Sequence, residues 1–103
     1  MTPGRGEPMG TREQVKATLA AFAQAAPGRS VEIRVPPYAA VQAVPGGSHR
    51  RGTPRAVVEC DASTWLGLVS GELSWAEAVA SGRVQASGER SDLSPWLPLD
   101  VSR

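Results

Sequence analysis

The chain is short of the residues that build most catalytic and metal sites. Among its 103 residues it has one cysteine, Cys60, and one histidine, His49. A single cysteine cannot form an intrachain disulfide, which fits a reducing compartment. A single histidine provides neither a metal cluster nor a catalytic triad, and we interpret it as a surface residue. The carboxylates are dispersed, and no side chains converge at the spacing of a known catalytic motif. We therefore predict that the chain is not an enzyme and holds no metal or cofactor.

The sequence also has no long apolar run and no excess of either charge. No run approaches the ~18 residues of a membrane span. The first ten residues lack the apolar core of a signal peptide, so we expect a cytoplasmic protein without stable membrane insertion. The net charge of +1 gives no support for a nucleic-acid partner. Ten of the eleven basic residues are arginine, which points to a GC-rich genome rather than to a binding surface.

Residues 59–99 carry all three tryptophans and the clearest helix signals. We interpret them as strand, helix, tight corner, short helix, strand and short helix. Asp61 or Ser63 has the position of a helix cap, and Gly71 allows the left-handed backbone that ends many helices. Ser74 and Glu77 have the spacing of a capping box, in which each residue satisfies a free backbone N–H of the other. Gly82 should end the short helix, the strand should cover 83–87, and the last helical turns should fall within 91–97.

The first half predicts one helix followed by strands. Thr11 and Gln14 have capping-box spacing, an apolar stripe follows, and Pro27-Gly28 should stop the helix. Residues Val31–Val35 alternate in polarity as a half-buried strand does, and the strand should end or lie at an edge at Pro36-Pro37. We predict further strands over 38–44 and Ala56–Cys60. Cys60, at the end of a Val-rich strand, is better explained as a small buried side chain than as a nucleophile.

A Gly- and Arg-rich loop should connect the second and third strands over residues 45–54. Its Arg50-Arg51 pair beside Gly46 and Gly47 allows two interpretations. The guanidinium groups could grip a carboxylate or phosphate, or the segment could be a solvated hairpin connection. We divide the chain into a flexible leader over 1–10, one domain over 11–100 and a tail over 101–103, since this length supports one core.

These features together resemble the sterol carrier protein family. The resemblance is carried by AVASGRV over residues 78–84 and by Ala86-Ser87-Gly88. Upstream, RVPPYAAVQ and HRRGTPRAVVECD are similar to the short actinobacterial branch, the bacterial sterol carrier orthologs. The same region is similar to the C-terminal domain of mycothiol-dependent maleylpyruvate isomerase-like proteins, although the resemblance does not extend to the helical domain that binds their metal. It covers about residues 12–100.

The resemblance implies an α/β (α+β) fold with a mainly antiparallel sheet and helices layered on one face. Larger family members hold a lipid in an apolar tunnel between sheet and helices. This chain has room for about four strands, which favours a shallow groove or small pocket. It would bind a small lipid-like ligand, with these residues as the apolar wall: Ile33, Trp65, Leu66, Val69, Leu73, Trp75, Trp96 and Leu97. Arg34 or Arg51 would meet the polar end of the ligand.

Two alternatives remain open from the sequence. The tryptophans could simply build the core, since a small domain needs large side chains to hold together. The chain could also be a protein-interaction or accessory domain without a ligand. In that case the strand over 38–44 would lie at a sheet edge, where a protein partner or a second copy could add a strand.

Overall fold

A computed structural model describes residues 10–46, 56–88 and 91–99. The elements follow in the order α1 (Thr11–Ala25), β1 (Val31–Val35), β2 (Ala39–Ala43), β3 (Ala56–Cys60), α2 (Ala62–Ser70), α3 (Trp75–Ala80), β4 (Val84–Ser87) and the 3-10 helix Ser94–Trp96. Within these ranges, no helix is both long enough and apolar enough to span a bilayer. The leader over 1–9, His49, Arg51 and the tail over 101–103 lie outside the described residues.

The four strands form one mixed sheet in the order β2-β1-β3-β4. The outer pairs β1–β2 and β3–β4 are antiparallel, and the central pair β1–β3 is parallel. The predicted α+β fold is therefore confirmed, and the expectation of a mainly antiparallel sheet is correct for two of the three strand pairs. The parallel pair arises because the β1–β2 hairpin returns the chain to the start of β1. Both Ala43 and Ala56 pair with Val31, so β3 begins at the same end as β1.

The turn between β1 and β2 is set by the two prolines. The Pro36-Pro37 peptide bond is cis, and Tyr38 donates its backbone N–H to the carbonyl of Val35 at 2.9 Å. A cis-proline at the third position of a four-residue turn defines type VI geometry. The predicted end of β1 at the prolines is confirmed, and β2 lies at the edge of the sheet.

Alternation along β1 separates the two faces of the sheet. Val31, Ile33 and Val35 are fully buried on the inner face, while Glu32 and Arg34 point to the other side. On that outer face Arg34 pairs with Glu59 of β3 at 3.8 Å. Both side chains are about half exposed, so this ion pair contributes little to stability.

Helices α1 and α2 pack together over the inner face of the sheet. Trp65 of α2 is fully buried and meets Phe22 of α1 edge-to-face, with ring centroids 5.6 Å apart. Its indole N–H donates to the hydroxyl of Thr18 at 2.8 Å. This pair of contacts fixes α2 on α1 by both packing and a hydrogen bond.

The start of α1 differs from the prediction. Gly10 is the N-cap, no side chain caps the helix, and Gln14 donates its backbone N–H to the Gly10 carbonyl at 3.0 Å. The predicted Thr11–Gln14 capping box is wrong because Thr11 is already the first helical residue. A capping-box side chain must belong to the residue before the helix.

Candidate functional site

Helix α2 begins at a side-chain cap and ends at a glycine. Asp61 accepts a hydrogen bond from the Thr64 backbone N–H at 2.9 Å, which confirms the predicted cap. Gly71 has φ of 91°, and its N–H reaches the Gly67 carbonyl at 3.1 Å. The Leu73 N–H reaches the same carbonyl at 3.1 Å. These bonds fold the chain sharply after α2 and direct Leu73 back toward the helix end.

Helix α3 starts directly after this corner. Ser74 accepts from the Glu77 N–H at 3.1 Å, and Glu77 accepts from the Ser74 N–H at 3.4 Å, which confirms the predicted capping box. Ala78 is fully buried and fixes the inner face of the helix. At the other end Gly82, with φ of 81°, donates to the Val79 carbonyl. The short helix is thus held at both ends by hydrogen bonds that its own sequence specifies.

The C-terminal segment closes over the end of α2. The 3-10 helix carries Trp96 and is followed by Leu97, both half-buried. The Leu99 N–H donates to the Val69 carbonyl in α2 at 3.0 Å. A Cβ placed on Gly71 would lie 3.4 Å from the Pro98 ring, so Pro98 rests against the glycine that ends α2.

These three pieces border a half-open hollow of about 360 Å³. Its size lies near the lower limit of pockets that hold small molecules, roughly 300 Å³. The wall is mostly apolar, and two serine residues supply its polar side chains. The lining residues are Leu68, Gly71, Leu73, Ser74, Trp75, Ala76, Ser94, Leu97 and Pro98. No strand residue belongs to this lining, so the hollow lies among the helices and the C-terminal segment rather than between helices and sheet.

The structure divides the eight predicted groove residues into three groups. Leu73, Trp75 and Leu97 come together around the hollow. Ile33 and Trp65 are fully buried in the core. The remaining three are outside the lining: Leu66, Val69 and Trp96.

Other lining residues were absent from the predicted site. Leu68 lay in the apolar pattern of α2, and its position one turn before Gly71 is the sequence signal that could have placed it there. Ser94 and Pro98 gave no such signal, because their position depends on how the C-terminal segment folds back onto α2.

The predicted polar end of the ligand does not lie at this hollow. Arg34 is on the outer face of the sheet beside Glu59, whereas α1 and α2 cover the inner face. Alternation along β1 requires this, since the neighbouring Ile33 faces the core. Arg51 is outside the described residues. The polar end of any ligand in the hollow must therefore be met by other groups.

Cys60 sits in the core rather than at the hollow. Burial, with a further effect from the neighbouring carboxylates of Asp61 and Glu59, raises the pKa of its thiol to about 12. The thiolate is the nucleophilic form of cysteine, so this thiol is a poor nucleophile near neutral pH. In the described part of the chain, no three His, Cys, Asp or Glu residues cluster as metal ligands would.

Comparison with protein families gives a match that covers nearly the whole chain. The family model described as bacterial SCP ortholog, where SCP denotes sterol carrier protein, matches residues 8–99. The chain belongs to this family. Membership in this sterol-carrier-like family suggests a small lipid-binding or carrier domain, of a kind that is generally non-catalytic. Among curated proteins, none matches the chain.

Proposed function

We propose that this sterol-carrier-like domain binds one small, elongated apolar molecule in the hollow at the end of α2. The observation that carries the proposal is the hollow itself, whose walls come from Leu68, Leu73, Trp75, Leu97 and Pro98. Family membership supports it, since lipid carriage is the activity the family suggests. Burying an apolar chain against such a wall is favourable by about 25 cal/mol per Å² of apolar surface removed from water. We further propose that the protein acts in the cytoplasm.

The domain acts in this proposal by binding rather than by chemistry. The serine hydroxyls of Ser74 and Ser94 can hydrogen-bond a polar group of the ligand, whereas the aliphatic and indole walls hold its chain. The size of the hollow selects small molecules over full-length lipids. The tunnel expected from larger family members would have to run through the space between sheet and helices, where the structure has one core of buried side chains that includes Ile33 and Trp65.

The test is a titration of the protein with 1-decanol, followed by tryptophan emission and by native mass spectrometry. We expect an adduct with one decanol per chain and a change in the emission of Trp75. The variant Ala76→Phe should weaken both, because Ala76 lines the hollow and an added phenyl ring there competes with the ligand for its volume. The control is Ala80→Phe, one turn later on α3, where the side chain is exposed and outside the lining. Equal decanol binding by the wild type and Ala76→Phe would refute the hollow as the site.

The second candidate is an interaction domain that pairs with another copy through β2. One observation favours it: this edge strand, Ala39–Ala43, carries no charged side chain, and charges are a common protection of sheet edges. Light scattering over a range of concentrations tests it. A dimer that becomes a monomer in Ala40→Lys, without any decanol adduct in either protein, would favour interaction over ligand binding. A monomer at all concentrations would exclude this candidate.

A further inference from the structure

We propose that the ligand of the hollow is an amphipathic cation, with an apolar chain inside and an ammonium-like group at the mouth. This inference rests on the proposed function and adds the charge of the ligand to it. The sequence had suggested arginine partners for an anionic head group, but Arg34 lies on the other face of the sheet. The charged side chains that the structure hydrogen-bonds to residues lining the hollow are carboxylates.

Two carboxylates are held against the lining by hydrogen bonds. Glu77 accepts from the backbone N–H of Ser74 at 3.4 Å, and Asp92 accepts from the N–H of Ser94 at 2.9 Å. Both serines line the hollow. A carboxylate has two oxygens and about four acceptor positions, so each can accept a further bond from a ligand cation.

Charged residues next to the lining positions in the sequence are also negative. Glu72 stands between Gly71 and Leu73, which both line the hollow. No lysine or arginine occurs within two residues of any lining position. The charged residues nearest the lining in the sequence are therefore all acidic, and we call Glu72, Glu77 and Asp92 the acidic rim.

The C-terminal end of helix α2 adds a partial negative charge beside the hollow. Leu68 and Gly71, at that end, belong to the lining, and the last turn of α2 contains no basic residue. A helix C-terminus carries a partial negative charge that attracts cations. Helix α3 starts at the hollow with the opposite polarity, but it has only six residues, and the carboxylate of Glu77 in its first turn offsets the positive charge of that end. The indole of Trp75 offers a face on which an alkylammonium group can rest.

The experiment compares three ligands with the same ten-carbon chain: decyltrimethylammonium, decanoate and 1-decanol. Each is titrated below its micelle concentration in low salt and followed by calorimetry. We expect the cation to bind about tenfold more tightly than decanoate, since partly exposed charge contacts each contribute up to ~1 kcal/mol. The preference should shrink in high salt, because salt screens exposed charges.

The decisive variant is the double substitution Glu77→Gln and Asp92→Asn, which keeps a hydrogen-bond acceptor at each position and removes two charges. The matched control removes two charges from the outer face of the sheet, Glu32→Gln and Glu59→Gln. We expect the rim variant to lower the preference for the cation over decanoate to about threefold or less, and the control variant to keep it near tenfold.

The outcomes separate the two proposals. If decanol binds but decanoate binds as tightly as the cation, or the rim variant keeps the full preference, the cation inference is overturned and the proposed hollow stands. If none of the three ligands binds, the proposed function falls, and the inference falls with it.

Discussion

The contact between Trp65 and Thr18 determines how firmly α2, and with it one wall of the hollow, is held on α1. The indole is fully buried, and its N–H has the Thr18 hydroxyl as acceptor at 2.8 Å. Thr18→Val keeps the branched shape but removes that acceptor. A buried donor left without a partner costs about 1–3 kcal/mol, so we expect this variant to lose about 2 kcal/mol of unfolding free energy.

The reverse change removes the donor. Trp65→Phe leaves a smaller ring in a site that has no access to water, and we expect it to cost about 2 kcal/mol, below the 3–5 kcal/mol of truncation to alanine. The double variant contains neither donor nor acceptor, so the penalty for the unpaired N–H is no longer present. It should cost about 2 kcal/mol rather than the sum of about 4 kcal/mol.

Urea unfolding monitored by far-UV circular dichroism measures all three variants without dependence on tryptophan emission. Thr18→Ser is the control, because it keeps the hydroxyl and loses only a methyl group, at a cost of about 0.8 kcal/mol or less. Single-variant costs that add to within about 0.5 kcal/mol in the double variant would refute the argument that the hydrogen bond couples the two helices.

Three further predictions concern the glycines, the α2 cap and the thiol. Gly82→Ala should lower the unfolding free energy by about 1 kcal/mol, since a φ of 81° disfavours a side chain but no atom lies close to the new Cβ. Gly88→Ala should cost clearly more, because its Cβ would lie 2.8 Å from the Cα of Ala56. Equal costs in thermal or urea unfolding would contradict this. Asp61→Ala should cost about 1 kcal/mol at neutral pH. Hydrogen bonding by Thr64, through its side chain and its backbone N–H, lowers the pKa of Asp61 below 3.8. The stabilisation by Asp61 is therefore present above pH 3.8 and is lost as pH falls through the pKa of the folded protein. If the wild type remained more stable than Asp61→Ala in strong acid, this explanation would be wrong. Cys60 should react slowly with a disulfide reagent at pH 8 in the folded protein and rapidly in urea, and a fast reaction without denaturant would show that the thiol is not buried.

Local signals in the sequence were sufficient for most of the fold. The caps at Asp61 and Ser74 and the glycine stop at Gly71 depend on neighbours within four residues, and all three are confirmed. The alternation of Val31–Val35 likewise predicted which side chains face the core. The start of α1 was missed because Gly10 has no side chain to signal a cap.

The parallel pairing of β1 and β3 could not be predicted from local sequence signals. The Val-rich composition of Ala56–Cys60 indicates a strand but not the direction of its neighbour. The direction depends on the path of the chain after β2, which returns to the start of β1. Tertiary path, rather than local preference, decides this feature.

The predicted groove residues depend on the tertiary path in the same way, and the structure brings only some of them together. Leu73, Trp75 and Leu97 line the hollow because they flank the corner after α2 and the C-terminal segment that packs beside it. Arg34 was assigned to the ligand by its charge alone, and strand alternation places it on the opposite face. The inward position of Ile33 was predicted, but a buried residue and a pocket residue have the same sequence pattern.

The size of the domain explains why the hollow lies at its end. A chain of 103 residues has one core, in which the large rings of Trp65 and Phe22 pack with buried residues of the strands. A cavity at that place would remove the packing that holds the domain together, at about 24 cal/mol per Å³. A hollow among α2, α3 and the C-terminal segment avoids most of that cost, because Leu68 is the one lining residue that is buried in the core. Ligand binding there should leave the sheet unchanged and instead order the segment around Leu97, so hydrogen exchange on saturation with 1-decanol should slow at Leu97 and Leu99 and not along β1. Slower exchange in β1 alone would place the ligand between sheet and helices and contradict this location.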